Sequence, residues 1–452
     1  MFCYGLDRLL RAQRAVRHDD QCDDGEQGDQ GWAAFHGDES TGFVREGQNE
    51  TELKPAATFE KLIDRDIVNA RSRHLVAPRV ALGLVLSSFT TAFAANPPGH
   101  ELFIEDAVRR FRIHISPAEW DKLKADNRTY VRAAITIDGE EYKPVGVRLK
   151  GQGSFRPLED RPSLAVKFDE FVGGRKFCGL TKIMLNNSSQ DRSYLSEYIC
   201  TGLYRDAGVP AGRVTFARVE LNERDLGFYV LIEAMNKTFL RQHFRNPNGP
   251  LYEAYAKDID RTLDQDSGPP TDQSDIRQLV AAARLPVESR MAALDDALDV
   301  DNFLSSLAVC MLIAQHDSYA LNRNNYRLYR EPDSHRFTMI PHGIDGSFTR
   351  NTISLVPPAD RVLTRAVLER PDGLERYRLR VTALYTNIFK VDVISNRVHA
   401  AASRLAAAAR DDQERTNFLA QATRFIRKVQ ERHENVTGQL ADFTKPLPGP
   451  VK

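Results

Sequence analysis

The alternation of apolar and polar residues changes once along the chain, near residue 233. Between residues 111 and 233 apolar residues recur mainly at every second position, which predicts strands. Asp138-Gly139 is a hairpin turn signal between two of these strands. One helix is predicted over 191–207, ended by Gly208 and Pro210. The predicted strands are 112–115, 130–137, 145–149, 163–168, 214–221 and 227–233.

After residue 233 the apolar residues follow the helical period, so the second half of the chain is predicted to be helical. Its one expected exception is a hairpin, 326–330 and 336–340, around the turn-rich residues 331–334. The predicted helices are 236–244, 274–283, 289–298, 301–315 and a series of long helices from 376 to 439.

Residues 1–75 follow neither period. The stretch 19–50 is rich in Asp, Gln, Gly and Glu with few aliphatic residues, a composition typical of disorder. Basic residues over 71–79 then precede an apolar run at 80–89 and small residues at Ala92 and Ala94, the order of a secretory signal peptide. We therefore expect 76–94 to be a signal peptide, cleaved near Ala94, and residues 1–75 to precede the true start of an exported protein.

The alternative for the segment 76–94 is a short buried or membrane-anchoring helix. Its apolar run is well short of the roughly 20 residues that span a bilayer, so we expect no stable membrane span. Lys plus Arg and Asp plus Glu number 62 each, which gives no charge excess for nucleic acid as a partner. The five cysteines lack zinc-site or disulfide spacing, and we expect them mostly to be packing residues.

A candidate site follows the helix predicted to end at 315. Protein kinases place a catalytic aspartate and a metal-binding asparagine in the loop HRDxxxxN, followed by a hairpin and a second metal-binding aspartate. Asp317 and Asn322 have this interval, and the hairpin returns the chain to Asp345. We expect Asp317 to accept the hydroxyl proton, and Asn322 and Asp345 to hold Mg²⁺. The residues alone leave a loop cap at Asp317 and an Asp-Gly turn at Asp345 as equal alternatives.

Two histidines, His316 and His342, flank this candidate site. Together with an aspartate they would suit a transition metal, but we favour solvated or hydrogen-bonded histidines.

Seven segments of the chain together form an ordered set of motifs: VRLKGQGSF (147–155), RPSLAVKFD (161–169), GLTKIMLNN (179–187), RDAGVPA (205–211), GFYVLIE (227–233), DSYALNRNNY (317–326) and 337–348. This set resembles the CotH kinase family of atypical secreted kinases, and the resemblance covers about residues 103–441. In the last segment the family's Trp-Asp-x-Asp becomes His342-Gly343-Ile344-Asp345, so its first aspartate is a glycine here.

The resemblance implies an ATP- and Mg²⁺-dependent (or Mn²⁺-dependent) kinase of protein substrates. It implies an α+β, bilobal, atypical protein-kinase-like fold in a domain at 95–441, with a strand-rich N-lobe (103–233), a helical C-lobe (234–441) and a flexible tail at 442–452. It also assigns the catalytic aspartate to Asp317, the loop asparagine to Asn322 and the second aspartate to Asp345. Because of Gly343, the alternative function is a catalytically weak or inactive kinase-like scaffold at a surface or in a matrix.

The strand-rich half offers candidates for contacts with the nucleotide. Arg148 or Lys150, and Lys167, are candidates for phosphate contacts, and Glu197 is a candidate to pair with one of them, as a kinase lysine pairs with its helix glutamate. We favour Lys167 with Glu197. The glycine-containing loop 151–154 either brings backbone amides to phosphate or is a hairpin turn.

Overall fold

The computed structural model of the protein describes residues 96–104 and 107–443. The predicted signal peptide, the extension before it and residues 444–452 of the predicted tail lie outside these residues, whereas residues 442 and 443 of that tail belong to the last helix. The described chain is a mixed α+β fold with a strand-rich N-lobe and a helical C-lobe, as predicted. Within the described residues, we find no helix with the length and apolar character needed to cross a membrane.

The N-lobe is a closed barrel of seven strands in the order β1-β2-β3-β4-β5-β7-β6, and β6 closes it by pairing parallel to β1. Alternate residues of each strand fill the barrel interior with aliphatic and aromatic side chains. Three helices, α1 (His100–Ile104), α2 (Pro117–Ala125) and α3 (Leu195–Asp206), accompany it. The strands are β1 (Arg109–His114), β2 (Val131–Ile137), β3 (Glu140–Lys150), β4 (Ser163–Lys167), β5 (Lys182–Asn186), β6 (Val214–Leu221) and β7 (Arg224–Glu233).

The pairing of β3 with β4 determines which side chains point outward from the barrel. Val147 pairs with Val166 and both are buried in the interior, so the neighbouring positions point outward. Lys150 stands opposite Ser163 at one end of this ladder, and Gly146 stands opposite Lys167 at the other end. The two lysines are therefore on the same face of the barrel but at opposite ends of the strand pair.

The C-lobe joins a four-stranded sheet, in the order β11-β10-β8-β9, to a set of helices. The predicted hairpin is present as β10 (Tyr326–Arg330) and β11 (Phe337–Pro341), but the prediction that it is the lobe's one exception to helix is wrong. Two further strands, β8 (Leu251–Ala254) and β9 (Asp264–Ser267), extend the sheet. They have four residues each, and β9 reads DQDS, so neither carries an alternating apolar pattern.

The helices of the C-lobe bury one core that continues into the N-lobe. Buried residues of α3 and β6 belong to the same hydrophobic cluster as those of α7, α11 and α12. Cys200 and Cys310 are buried free thiols and Cys178 is half-buried, in agreement with their predicted packing role. The helices are α4 (Lys237–His243), α5 (Ser274–Ala283), α6 (Val287–Ala297), α7 (Val300–Leu312), α8 (Tyr319–Asn322), α9 (Val362–Leu368), α10 (Pro371–Asn387), α11 (Val391–Ala407) and α12 (Asp412–Phe443).

Helix α3 begins four residues later than the sequence pattern suggests. The carboxylate of Asp191 accepts hydrogen bonds from the backbone N–H of Ser193 at 2.9 Å and of Ser196 at 2.8 Å. Tyr194, between them, has a left-handed backbone with φ of 64°. The side chain of Asp191 thus competes with the helix for local hydrogen bonds and turns the chain just before α3.

Helix α11 and the start of α12 hold the outer side of the N-lobe, and we call this pair of elements the C-terminal clasp. Arg404 of α11 donates to the hydroxyl of Thr215 in β6 at 2.8 Å. Phe418 of α12 packs edge-on against Phe228 of β7, with ring centroids 4.8 Å apart. The clasp therefore fixes α3 and the β6–β7 pair relative to the helices of the C-lobe.

Candidate functional site

Three asparagine side chains surround the carboxylate of Asp317. Asn322 Nδ2 donates to Oδ1 at 2.6 Å, Asn324 Nδ2 donates to Oδ2 at 3.0 Å, and Asn325 Nδ2 donates to Oδ2 at 2.9 Å. All three follow Asp317 closely in the chain, so the loop and the short helix α8 form this arrangement locally. The carboxylate is held in one orientation at the end of the segment that follows α7.

Asn325 also links this loop to the segment that follows β11. Its Nδ2 donates to the backbone oxygen of Gly343 at 3.1 Å as well as to that of Asp317 at 2.7 Å. Gly343 has φ of +59°, and a Cβ atom there would lie 2.6 Å from Asn325 Oδ1. The departure from the family pattern at this position therefore has a structural counterpart, because the space for a side chain at 343 is filled by Asn325.

Asp345, two residues beyond Gly343, lies within electrostatic range of Asp317 and Asp191. Burial raises the pKa of Asp345 above its ordinary value, and the negative charges of Asp191 and Asp317 raise it further, while Lys150 opposes the shift. The hairpin thus returns Asp345 to the neighbourhood of Asp317, as the order of elements indicated. His316 helps to tie the two loops together through a 2.9 Å hydrogen bond between its Nδ1 and the backbone oxygen of Gly346.

From the N-lobe, Lys150 and Glu197 reach the same neighbourhood. Glu197 is 3% exposed, and its Oε2 accepts from the backbone N–H of Ile344 at 3.0 Å. Burial raises the pKa of Glu197 well above its ordinary value, and the charge of Asp345 adds to this, while Lys150 opposes it. Burial lowers the pKa of Lys150, and Glu197 and Asp345 resist that change. Lys150 and these carboxylates therefore lie within electrostatic range of one another.

The expected pairing of Lys167 with Glu197 is wrong. Lys167 Nζ lies 2.6 Å from Glu170 Oε2, in a pair between residues three apart in sequence. The guanidinium of Arg148 lies 5.3 Å from the centre of the Tyr130 ring. Lys167 makes a cation–π contact with the same ring. Of the three basic candidates, Lys150 is the one whose charge acts on Glu197 and Asp345, because it stands at the α3 end of the β3–β4 ladder.

A group of charged side chains around His342 was missed by the sequence reasoning. Glu253 of β8 pairs with Arg327 of β10 at 2.9 Å, and Arg327 also reaches Asp266 of β9 at 3.2 Å. His342 Nε2 lies 3.5 Å from Glu253 Oε1. Burial and then the charge of Arg327 lower the pKa of His342 to about 4, so its imidazole is neutral at neutral pH.

A cavity of about 420 Å³ lies where β7 leaves the barrel and enters the C-lobe. Met184, Met235 and Leu240 give it an apolar wall, whereas Lys182 and Arg327 are charged residues of the lining. Its size and its mixture of apolar and convergent polar groups are typical of small-molecule sites. Strand β5 contributes Lys182 and Met184 because alternate residues of the strand face outward from the barrel.

Several of these residues carried a weak signal in the sequence. Asn324 and Asn325 stand beside the predicted Asn322, but the composition of an asparagine-rich loop does not say which amides turn toward an aspartate. Asp191 stands at the start of the helix predicted over 191–207, and Glu253 belongs to a strand that the pattern did not predict. Among the described residues, no group of three His, Cys, Asp or Glu side chains is suited to hold a metal ion.

Comparisons with known proteins agree with the resemblance in the sequence. Inner spore coat protein H of Bacillus subtilis strain 168 is 20% identical over 259 residues, which cover 52% of this chain and 70% of that protein. Among solved structures, the Helicobacter pylori proinflammatory kinase CtkA has a TM-score of 0.30 at 10% identity and covers 61% of this chain and 94% of its own. The HipA, HipB and operator DNA complex of the Shewanella oneidensis MR-1 toxin–antitoxin system has a TM-score of 0.30 at 12% identity, with coverage of 74% and 73%.

The two structural likenesses are too weak to carry an argument about this chain. A family model is decisive instead, because it matches residues 147–445 and so spans well over half of the chain. The matched range includes Lys150, Glu197, Asp317 and Asp345 and extends through the C-terminal clasp. The chain is a kinase-like protein and belongs to the CotH kinase family.

Proposed function

We propose that the protein is an exported ATP- and Mg²⁺-dependent protein kinase, which transfers the γ-phosphate of ATP to a hydroxyl side chain of a protein substrate. The observation that supports this proposal is the meeting of Lys150 and Glu197 from the N-lobe with Asp317 and Asp345 from the C-lobe. Phosphoryl transfer depends on positioning and on neutralising charge, which such a set of groups is suited to do.

In this proposal each residue has a separate task. Asp317, oriented by its three asparagine amides, accepts the proton of the acceptor hydroxyl. Lys150 contacts the phosphates of the nucleotide, and Glu197 holds the Lys150 ammonium group in the cleft. The neighbouring cavity of about 420 Å³ takes the base against the apolar side chains of Met184 and Leu240.

The chemistry of the site fits a divalent cation. Asp191 and Asp317 both raise the pKa of Asp345 and Lys150 opposes that shift, so negative charge is concentrated around Asp345. Asn322 donates its amide N–H to Asp317, which leaves its carbonyl oxygen for a hard cation. Asp345 and Asn322 would hold Mg²⁺, which commonly uses one or two protein oxygens together with phosphates. When bound, Mg²⁺ supplies charge neutralisation at the phosphate oxygens.

The direct test measures transfer of radiolabelled phosphate from ATP by the protein starting at Ala95, with Mg²⁺ or Mn²⁺ and a generic acceptor protein. We expect Asp317→Ala and Asp345→Ala to abolish transfer while leaving the circular dichroism spectrum and the thermal midpoint nearly unchanged. Full activity in both variants would refute the assignment.

A second candidate function is a catalytically inactive kinase-like scaffold, and the filled space at Gly343 favours it. The family aspartate that could bind metal is missing there, and Asn325 blocks the space in which a side chain would stand. A thermal-shift titration separates the two functions. A nucleotide-binding kinase gains stability from ATP with Mg²⁺, whereas a scaffold that binds no nucleotide shows no shift.

Export is supported by the signal-like segment 76–94 and by the likeness to a spore coat protein. N-terminal sequencing of the protein recovered from outside the cytoplasm tests it, and we expect the mature chain to begin near Ala95. An intact residue 1 on a protein confined to the cytosol would contradict export.

A further inference from the structure

A wide polar groove crosses the C-lobe beside the catalytic loop. It consists of two cavities, of about 790 Å³ and about 710 Å³, that share residues 260–262 and Arg284. The first cavity reaches Arg323 and Asp360, and the second extends along α5 as far as Arg277. We call these two joined cavities the basic groove. It is lined by residues outside the cleft that holds Lys150 and Asp345.

The near end of the basic groove is fixed to the candidate active site. Arg323 directly follows Asn322, whose amide contacts Asp317. Asp258, buried in the groove wall, accepts from the hydroxyl of Tyr319 at 3.0 Å and from the backbone N–H of Val362 at 3.0 Å. The groove wall and the segment from 317 to 323 are therefore parts of one hydrogen-bonded unit.

Cations exceed carboxylates in the basic groove, and the carboxylates already have partners. Asp260 pairs with Arg284 at 2.8 Å, and Asp272 pairs with Arg277 at 3.1 Å. Arg261 is exposed and forms no ion pair within the described part of the chain. The lining cations are Lys257, Arg261, Arg277, Arg284, Arg323 and Arg365, and the lining carboxylates are Asp258, Asp260, Asp272 and Asp360.

The excess of positive charge in the basic groove indicates which class of partner binds there. The surplus of positive charge attracts acidic groups, and the loosely held Arg323, whose contacts to Asp258 and Asp360 are both 3.9 Å, is free to turn toward them. Aromatic side chains, which single-stranded nucleic acids use for base stacking, do not occur among the lining residues of the two cavities. An acidic polypeptide fits these features best.

We propose that the basic groove docks an acidic segment of the acceptor protein, so that aspartates or glutamates a few residues from the acceptor hydroxyl select the substrate. This inference rests on the proposed kinase function and names its substrate class. An extended peptide advances about 3.3–3.6 Å per residue, so a hydroxyl at Asp317 and carboxylates along the groove belong to one short stretch of chain. Arg323 meets the residues nearest the acceptor, and Arg261 and Arg284 meet those farther away.

The test measures binding by fluorescence polarisation, which does not require catalysis. The probes are two labelled peptides with one central serine, flanked by aspartates in one peptide and by lysines in the other. We expect the full chain to bind the aspartate peptide, and the double variant Arg261→Glu with Arg284→Glu to bind it at least about tenfold more weakly. The matched control, Arg424→Glu with Arg427→Glu, makes the same charge change at exposed positions of α12 outside the groove, and we expect wild-type affinity.

Each outcome bears on one hypothesis. Equal affinity of the wild type and the groove variant for the aspartate peptide, preference for the lysine peptide, or no binding of the aspartate peptide to the wild type overturns the docking inference. In all variants the thermal shift caused by ATP with Mg²⁺ is measured in parallel. If ATP with Mg²⁺ stabilises the protein but the groove variant binds the peptide as the wild type does, the kinase proposal stands and the docking inference fails. If the groove variant weakens peptide binding but ATP with Mg²⁺ gives no thermal shift, the kinase proposal is refuted and peptide binding in the basic groove is not.

Discussion

The two lobes hold their parts of the cleft in different ways. In the C-lobe, Asp317 is oriented by asparagine amides that lie within eight residues of it in the chain. In the N-lobe, the position of Lys150 depends on the pairing of β3 with β4, and Glu197 depends on α3, which the C-terminal clasp holds. The carboxylate half of the site is therefore positioned by residues close in the chain, whereas the lysine–glutamate half is positioned by contacts between distant parts of the chain.

The largest expected effect is a difference in phosphate transfer between variants of the two lysines on the outer face of the barrel. We expect Lys150→Met to reduce phosphate transfer by about 10²–10³-fold, because the variant loses the charge that we propose contacts the phosphates. Lys167→Met should stay near wild type, since Lys167 is held by Glu170. Steady-state assays of radiolabelled phosphate transfer check both. If Lys167→Met is the more damaging change, the assignment of Lys150 is wrong.

The next effect tests whether the clasp stabilises the N-lobe side of the cleft. Phe418 is 6% exposed and packs on Phe228, so Phe418→Ala should lower the free energy of unfolding by about 3 kcal/mol. Leu419, the next residue, is 49% exposed, and Leu419→Ala should change stability by less than about 0.5 kcal/mol. Urea unfolding measures both values. Equal costs for the two variants would show that the clasp contributes little.

A pair of glycines tests the local half of the site. Gly343→Ala forces a Cβ against Asn325 in a left-handed backbone, and we expect a loss of about 2 kcal/mol in unfolding free energy. Gly438 lies exposed within α12, and a Cβ there meets nothing within 4 Å. Gly438→Ala should therefore stabilise the protein by about 0.5–1 kcal/mol. The two thermal midpoints should move in opposite directions, and a gain in stability from Gly343→Ala would disprove the close packing around Asn325.

The smallest effect concerns pH. The pKa of His342 is lowered to about 4, so between its ordinary pKa near 6.5 and pH 4 the unfolded chain binds a proton that the folded chain does not. Stability supplied by the neutral imidazole is complete above about pH 6.5 and is lost as the pH falls toward 4. The full shift corresponds to roughly 3 kcal/mol, but the His342 side chain is 24% exposed and water screens part of this effect. We therefore expect His342→Gln to remove about 1–2 kcal/mol of the acid-side loss, measured as unfolding free energy against pH.

The same substitution at the exposed His399 serves as the control for the pH experiment. The carboxylates of the protein titrate in the same range in every variant, so the relevant quantity is the difference from the wild type. An identical slope in His342→Gln and wild type would mean that the imidazole is not shielded from water as described.

Much of the fold was open to prediction from the pattern of the sequence. The hairpin at Asp138-Gly139, the helix α5 and the hairpin β10–β11 follow from turn residues and periodicity that act over a few residues. The strands β8 and β9 were missed because four-residue strands with polar side chains have no such period. Pairing makes them strands: β8 pairs with β10, more than seventy positions away in the chain, and β9 pairs with β8.

The candidate site divides in the same way. Asp317, Asn322 and Asp345 could be selected from the order of helix, loop and hairpin, since these elements are consecutive in the chain. The choice of Lys150 over Lys167 could not be made from the sequence, because both lysines carry the same charge on the same face of the barrel. They differ only in which end of the β3–β4 ladder approaches α3. The structure brings Lys150 near Glu197 and Asp345, and the pKa shifts of the three groups depend on that nearness.

By itself, the sequence determined the class of fold, the division into a strand-rich and a helical lobe and the family, and it selected the three candidate polar residues of the C-lobe loops, because each of these depends on neighbours close in the chain. The tertiary structure alone decided the closure of the barrel, the clasp on α3, the lysine that faces the carboxylates and the basic groove beside them. These features arise where distant segments exclude water together, and the free energy of such contacts depends on packing that a linear pattern does not contain.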